Sequence, residues 1–256
     1  MAVKLKSPDE VVRMRKAGQL VGQTLARIRE MVRPGLNCKD VERFVHEEYK
    51  RYGAKETFKN YQPHPRYPPY PSNICISINE QLVHGIPTDR VLQEGDIVTF
   101  DLGATLDGYV GDSAITVPVG AVSPEAQRLL EVTEKSLWAG IGAARAGGHL
   151  NDICGAIEDA IVPHKMGIVR GYGGHGIGRE MHEEPHVQNH RMRFRGTPLR
   201  PGLVLALEPM VTLGRPETEE EDDGWTVRTT DRSLCCHFEH TVAIREGHEA
   251  EVLTLP

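Results

Sequence analysis

Four carboxylates in this chain stand where an apolar strand does not tolerate a bare charge. Asp101 ends the run Ile97-Val-Thr-Phe, Glu208 ends Leu203-Val-Leu-Ala-Leu, Glu239 precedes Thr241-Val-Ala-Ile, and Asp112 lies inside the run 109–117. An ionised carboxylate leaves water only when it is paired, hydrogen-bonded or bound to a cation. Taken singly, each is as readily a strand-end acid facing solvent or an ion-pair partner. Four in comparable settings constrain the fold more sharply, because a sheet that gathers them must also neutralise them.

Local pairing supports such a gathering. Asp107-Gly108 is a two-residue turn signal between strand-like runs at 97–102 and 109–117. With that turn, Leu106 pairs with Tyr109 and Gly103 with Asp112. Asp101 and Asp112 then share one face as diagonal neighbours.

The flanking segments read as helices and strands in a repeated order. Ser7-Pro8-Asp9-Glu10 is a capping box opening a helix that stops at Arg33-Pro34-Gly35. A second helix runs from near Asn37 to Gly53, and a proline- and tyrosine-rich loop fills 59–72 before a strand at 74–78. A third helix starts at Ser123-Pro124-Glu125 and reaches about Arg145, and a fourth begins near Asn151. Strands follow at 203–207, 225–229 and 234–244, the last placing Cys235 on the parity of Glu239 and so toward the same site. Residues 33–40 resemble 145–152, and 95–101 resemble 202–208, each of the latter pair ending in an acid. Two half-repeats, about 7–120 and 123–250, within one domain spanning 1–256 would bring two carboxylates from each half to a site for two cations. An oxygen-rich set suits Mn, Fe, Co or Zn rather than a thiolate-loving metal.

His175 lies in Gly171-Tyr-Gly-Gly-His-Gly-Ile-Gly178, a stretch too rich in glycine to serve packing, and is the fifth candidate ligand. His182-Glu183-Glu184-Pro185-His186 matches the HExxH pattern of zinc proteases. That motif needs an unbroken helix, and Pro185 removes a hydrogen bond from it. A net charge of −6 gives no global basic field for nucleic acid, although Arg191, Arg193 and Arg195 cluster locally. The five cysteines lack CxxC spacing and fit reduced thiols in a cytosol. The first residues carry no apolar leader and no run reaches membrane-spanning length, so a cytoplasmic chain with no membrane partner is expected.

In order along the chain, Cys75-Ile-Ser-Ile-Asn-Glu, Val83-His-Gly-Ile-Pro87, Asp101, Gly111-Asp112, Gly174-His-Gly-Ile-Gly178, His182-Glu-Glu-Pro185, Glu208-Pro-Met210, Asp223-Gly-Trp-Thr-Val227 and Glu239-His-Thr241 resemble bacterial type I methionine aminopeptidases. The likeness covers nearly the whole chain. It implies an α/β (α+β) pita-bread fold, with two pseudo-symmetric halves whose helices pack on a curved, largely antiparallel sheet.

It also implies removal of the N-terminal methionine from nascent proteins with a small second residue. Two divalent ions (Co, Mn, Fe or Zn) would be held by Asp101 on one side and by His175 with Glu208 on the other, with Asp112 and Glu239 bridging. Glu208 would shuttle the proton, His182 would meet the carbonyl oxygen or its oxyanion, and His84 the scissile amide. Tyr67, Tyr70, Cys75, Met181 and Trp225 would line the methionine pocket. Met181 stands where the family often carries an aromatic residue, and Tyr67-Pro-Pro-Tyr70 has prolines where a more flexible sequence is usual. The resemblance further implies a monomer and admits transient ribosome association, without sequence-specific nucleic-acid binding. The alternatives are a proline-directed aminopeptidase or prolidase, for whose extra N-terminal domain a first helix at Ser7 leaves no room, and an inactive pita-bread binding protein. The inactive relatives lose ligands, and here all five are present. A type II enzyme would need a large helical insertion between His182 and Glu208.

Overall fold

Ser7 starts the first helix with both halves of its capping box: the Glu10 N–H donates to Ser7 Oγ at 3.3 Å, and the Ser7 N–H donates to Glu10 Oε2 at 2.9 Å. The structure, a computed structural model, describes residues 2–256. Helix α1 spans Pro8–Met31 and buries Val11, Met14, Ala17, Val21, Leu25 and Ile28. Helix α2 (Cys38–Tyr52) is capped by Asn37, which accepts from the Lys39 N–H at 2.8 Å, and ends where Gly53 turns left-handed. Helix α3 (Pro124–Ala143) begins at Ser123 and α4 (Leu150–Ile161) at His149.

The nine-stranded sheet runs Lys55–Glu56, Ile97–Leu106, Tyr109–Pro118, Glu239–Ala243, Val204–Leu207, Gly174–Gly176, Glu183–Val187. Cys75–Ile78 also pairs with the Ile97–Leu106 strand, and Glu251–Val252 with the Glu239–Ala243 strand; every pairing is antiparallel. The hairpin has the expected register, Leu106 opposite Tyr109 and Gly103 opposite Asp112. Asp107 and Gly108 both take positive φ, 52° and 77°, as a tight turn matched to strand twist requires.

Alternation along the strands sends apolar side chains to the helices. Val98, Phe100 and Leu102 pack with Val21, Leu25, Ile28, Val41, Val45 and Tyr49. Leu203, Leu205, Leu207 and Val242 pack with Leu129, Leu137, Ile153 and Ile157. Each such fully buried side chain contributes about 1.5–3 kcal/mol. Asp101, Asp112, Glu208 and Glu239 occupy the opposite parity. Helix α1 crosses the hairpin closely, because a Cβ on Gly111 would lie 2.5 Å from the Gly18 nitrogen.

Two segments differ from the sequence reading. The run 234–244 is two strands: Cys235–His237 pairs with Met210–Thr212 in a separate sheet, and the main sheet takes up only Glu239–Ala243. Thr116 Oγ1 holds the break, donating to the His237 carbonyl at 2.5 Å and accepting the His237 N–H at 3.2 Å. Parity therefore does not carry Cys235 to the site; its thiol sits 3.3 Å from the Asn79 carbonyl. The strand expected at 225–229 starts only at Val227, because the Asp223 carboxylate holds the Trp225 and Thr226 N–H groups, both at 2.8 Å. The HExxH segment is the Glu183–Val187 strand, which rules out the helical zinc-protease arrangement.

Candidate metal centre and substrate cavity

The hairpin supplies Asp101 and Asp112, and the seam beside it supplies Glu239. Ala114 stands opposite Asp101 in one ladder and opposite Glu239 in the next, so the three carboxylates gather around one point of the sheet. His175 faces Ala206, two residues before Glu208 on the neighbouring strand. His175 Nε2 lies 3.7 Å from Asp112 Oδ2 and 3.7 Å from Glu208 Oε1. Ligand atoms of Asp112, His175 and Glu239 all fall within 4.8 Å of one another.

These groups lack ordinary partners. Asp101 Oδ1, Asp112 Oδ1 and Glu239 Oε1 are buried with no hydrogen bond, an uncommon state for native polar atoms. Burial raises the Asp101 carboxyl to about 7. Asp112, Glu208 and Glu239 are also pushed well up, first by burial and then by neighbouring acid charges: Asp101 on Asp112, Asp112 and Asp101 on Glu208, and all three on Glu239. Burial, aided by the His182 charge, lowers His175 to about 3, so the ring is neutral. Its Nδ1 is 2.9 Å from the Gly176 carbonyl, which can only accept. Nδ1 therefore carries the proton, and the Nε2 lone pair points at two carboxylates. A lone pair and several acid oxygens converging on one point, each acid raised by burial, fit a cation that would displace their protons.

An apolar cavity adjoins the cluster, lined by Phe58, Tyr61, Tyr70, Cys75, His84, Met181, His182 and Trp225 together with the five candidate ligands. Tyr70 is fixed by donating to the carbonyls of Gly85 at 2.9 Å and Ile74 at 3.2 Å. Cys75 pairs directly with Asp101 across the sheet. His84 holds a left-handed backbone at φ 60°, unusual for a non-glycine residue, and its ring stands edge-on to Trp225. Desolvation, with the His182 charge, lowers His84 to about 4; desolvation alone lowers His182 to about 4, although that residue stays partly exposed.

Tyr67 is the one expected pocket residue outside the lining. It packs on Trp225 with ring centroids 5.7 Å apart and is 36% exposed. Phe58 and Tyr61 line the cavity instead. Phe58 reaches in over Gly103, where a Cβ would meet its ring at 2.6 Å. The sequence reading also passed over His237, buried with Nε2 3.5 Å from Glu208 Oε2 and 4.0 Å from Glu239 Oε2. Because the strand breaks between His237 and Glu239, parity gave no signal for it.

Residues 12–246 match the model of metallopeptidase family M24. The chain is 45% identical to a methionine aminopeptidase of Aquifex aeolicus, over 95% of this chain and 96% of that one. It is 42% identical to methionine aminopeptidase 1 of Bacillus subtilis, over 94% and 95%. The chain belongs to the methionine aminopeptidases of metallopeptidase family M24. A solved methionine aminopeptidase of Thermotoga maritima superposes with a TM-score of 0.95 at 38% identity, covering all of both chains. A prolidase of Pyrococcus furiosus gives 0.76 at 21% identity, with 98% of this chain on 65% of that one, and so shares the fold alone. The pita-bread arrangement of M24 is thus the one the helix pairs and antiparallel sheet build here.

Proposed function

We propose that this chain removes N-terminal methionine from polypeptides with a small second residue, using two divalent ions held by Asp101, Asp112, His175, Glu208 and Glu239. The observation that carries the ion site is the His175 Nε2 lone pair aimed at Asp112 and Glu208, beside carboxylate oxygens with no other partner. Co, Mn, Fe and Zn all suit one imidazole with four carboxylates. When bound, such ions supply Lewis-acid activation of water and of the scissile carbonyl.

The chain's own residues do the rest. Glu208, at the edge of the cavity, moves the proton from the attacking water to the departing amine. His182 donates a hydrogen bond to the carbonyl oxygen as negative charge develops on it. His84, also in the cavity lining, orients the scissile amide. Tyr70, Cys75, Met181 and Trp225, joined by Phe58 and Tyr61, surround the thioether with aromatic and polarisable surface, which suits methionine. Tyr67 acts from behind, backing Trp225. All of these form one catalytic domain over residues 1–256, with half-repeats at about 7–120 and 123–250 meeting at the site.

No helix among the described residues is long and apolar enough to cross a membrane. A cytoplasmic monomer acting on nascent chains, with transient ribosome contact, belongs to the same reading; size-exclusion chromatography and ribosome co-sedimentation test the last two. The decisive experiment offers Met-Ala, Met-Gly, their acetylated forms and Xaa-Pro peptides to the metal-loaded protein. Methionine release from the free peptides alone is expected. Equal cleavage of Xaa-Pro substrates, or no activity with any divalent metal, overturns the assignment.

A further inference from the structure

Tyr61 sits at the neck of the proline-rich loop and reaches His182. Its hydroxyl is 2.6 Å from His182 Nδ1, and the two rings are 5.4 Å apart. The backbone holds Tyr61 in place from both sides. Its N–H donates to the Phe58 carbonyl at 2.9 Å, and its carbonyl accepts the Tyr70 N–H at 2.9 Å. This geometry uses only one ring nitrogen of His182.

Given the aminopeptidase reading above, we infer that Tyr61 is a positioning residue that fixes the tautomer of His182. Above its ordinary pKa a histidine is neutral and carries one proton, on either nitrogen. A phenol at neutral pH keeps its proton, and burial raises the Tyr61 pKa further. Donating that proton to Nδ1 makes Nδ1 the acceptor and leaves the hydrogen on Nε2. The free nitrogen of His182 is then a donor, which is what a carbonyl oxygen gaining negative charge requires. The opposite tautomer would present a lone pair to that oxygen. The tyrosine thus does for His182 what a second hydrogen-bond partner does for a metal-bound histidine: it sets ring orientation and proton position together. The His182 ring centroid is only 4.3 Å from that of His175, so a rotated imidazole would also disturb the candidate ligand.

The test is Tyr61→Phe, which keeps the ring and removes only the donor. Nitrogen-15 spectra of histidine-labelled, metal-free protein at pH 8 report the tautomer, with the His182 signal assigned by its loss in His182→Gln. The expected result is a proton on Nε2 in the wild type and a mixture of both tautomers in Tyr61→Phe. With metal loaded, Tyr61→Phe should lower kcat about tenfold on a Met-Ala peptide while KM stays within about twofold. A proton on Nδ1 in the wild type, an unchanged tautomer in Tyr61→Phe, or an unchanged kcat overturns the inference. Because the spectra need neither metal nor turnover, a chain inactive with every metal would defeat the aminopeptidase reading while the tautomer is still decided.

Discussion

Replacing Lys6 with methionine should destabilise the protein by about 3–5 kcal/mol, the usual consequence of removing one partner from a buried ion pair. Lys6 Nζ and Glu183 Oε2 are 2.7 Å apart, with 6% and 3% of the two side chains exposed. Methionine keeps the apolar stem but leaves Glu183 with only the Arg179 and Glu180 N–H donors, at 3.1 and 3.4 Å. The carboxylate then stays buried without its counter-charge. Removing both partners in Lys6→Met/Glu183→Leu should cost markedly less than the two single losses added together, giving a coupling of about 2 kcal/mol. Burial pushes the Glu183 carboxyl up, but the Lys6 hydrogen bond and charge, with the Glu180 N–H, outweigh it and hold the group below its ordinary value. A carboxyl depressed by folding stabilises above its unfolded pKa, near 4.3, and that contribution disappears as pH falls through the folded value. The deficit of Lys6→Met should therefore be full at pH 7 and shrink on acidification, first as the unpaired Glu183 of the variant takes up a proton above its ordinary value and then as the wild type loses the pair below about pH 4. Urea denaturation of the two single variants and the double variant, repeated across this range, measures both effects. A loss under about 1 kcal/mol at pH 7, or strict additivity in the double variant, refutes the reasoning.

The metal-free protein should behave in the opposite sense around its acidic cluster. Carboxyls whose pKa is raised on folding favour the native state only while protonated, so stability should fall as pH rises from about 4 through the Asp101 value of about 7. Thermal melts in chelator should show this decline, and Asp112→Asn should flatten it while abolishing turnover; a midpoint that climbs over the same range would contradict it. Tyr70→Phe takes a donor from the Ile74 carbonyl, while the Gly85 carbonyl keeps the Ile76 N–H at 2.8 Å, and should cost about 1–2 kcal/mol by denaturant titration, whereas Tyr67→Ala should stay within about 0.5 kcal/mol. Gly111→Ala drives a methyl into the α1 backbone at Gly18 and should cost about 1–3 kcal/mol or more; a neutral result would mean that helix and hairpin are not in that contact.

What could be read from the sequence was whatever local chemistry decides. Asp107-Gly108 dictates its own turn, the turn dictates the Gly103–Asp112 register, and parity then places Asp101 beside Asp112. Ser7, Asn37 and Ser123 open their helices because each cap is satisfied within three residues. The break at Phe238 was hidden, because both pieces alternate like one strand and the deciding hydrogen bonds come from Thr116, far away in the chain. The choice among Tyr61, Tyr67 and Tyr70 was hidden for a similar reason. Bonds from the Asn60 N–H to the Tyr70 carbonyl at 2.8 Å, and from the Tyr70 N–H to the Tyr61 carbonyl, close the loop at its neck. Tyr61 and Tyr70 stay at the cavity, and Tyr67 is carried beyond the neck onto Trp225. Prolines in the loop announce irregular backbone but carry no parity from which to infer an inward side.

The position of the acidic cluster follows from how the two parts of the sheet are joined. The hairpin ladder has ten residue pairs and the ladder between Val204–Leu207 and Glu239–Ala243 has four, yet the seam between Tyr109–Pro118 and Glu239–Ala243 has only two. Side chains reinforce it. Thr241 Oγ1 accepts the Asp112 N–H at 3.2 Å and donates to the Asp112 carbonyl at 2.7 Å, and Ser113 Oγ donates to the Glu239 carbonyl at 2.5 Å. The residues whose backbones these bonds secure, Asp112 and Glu239, carry carboxyls pushed well up by burial and neighbouring acids, so in the metal-free protein they hold protons and repel across the seam only once these are lost. Above those raised values mutual repulsion weakens the join, and a cation held by Asp112 and Glu239 would reverse the sign of that interaction. Ion binding and closure of the seam are therefore linked equilibria, each favouring the other. The acids that loosen the metal-free seam once ionised are the ones that would hold it together around a cation.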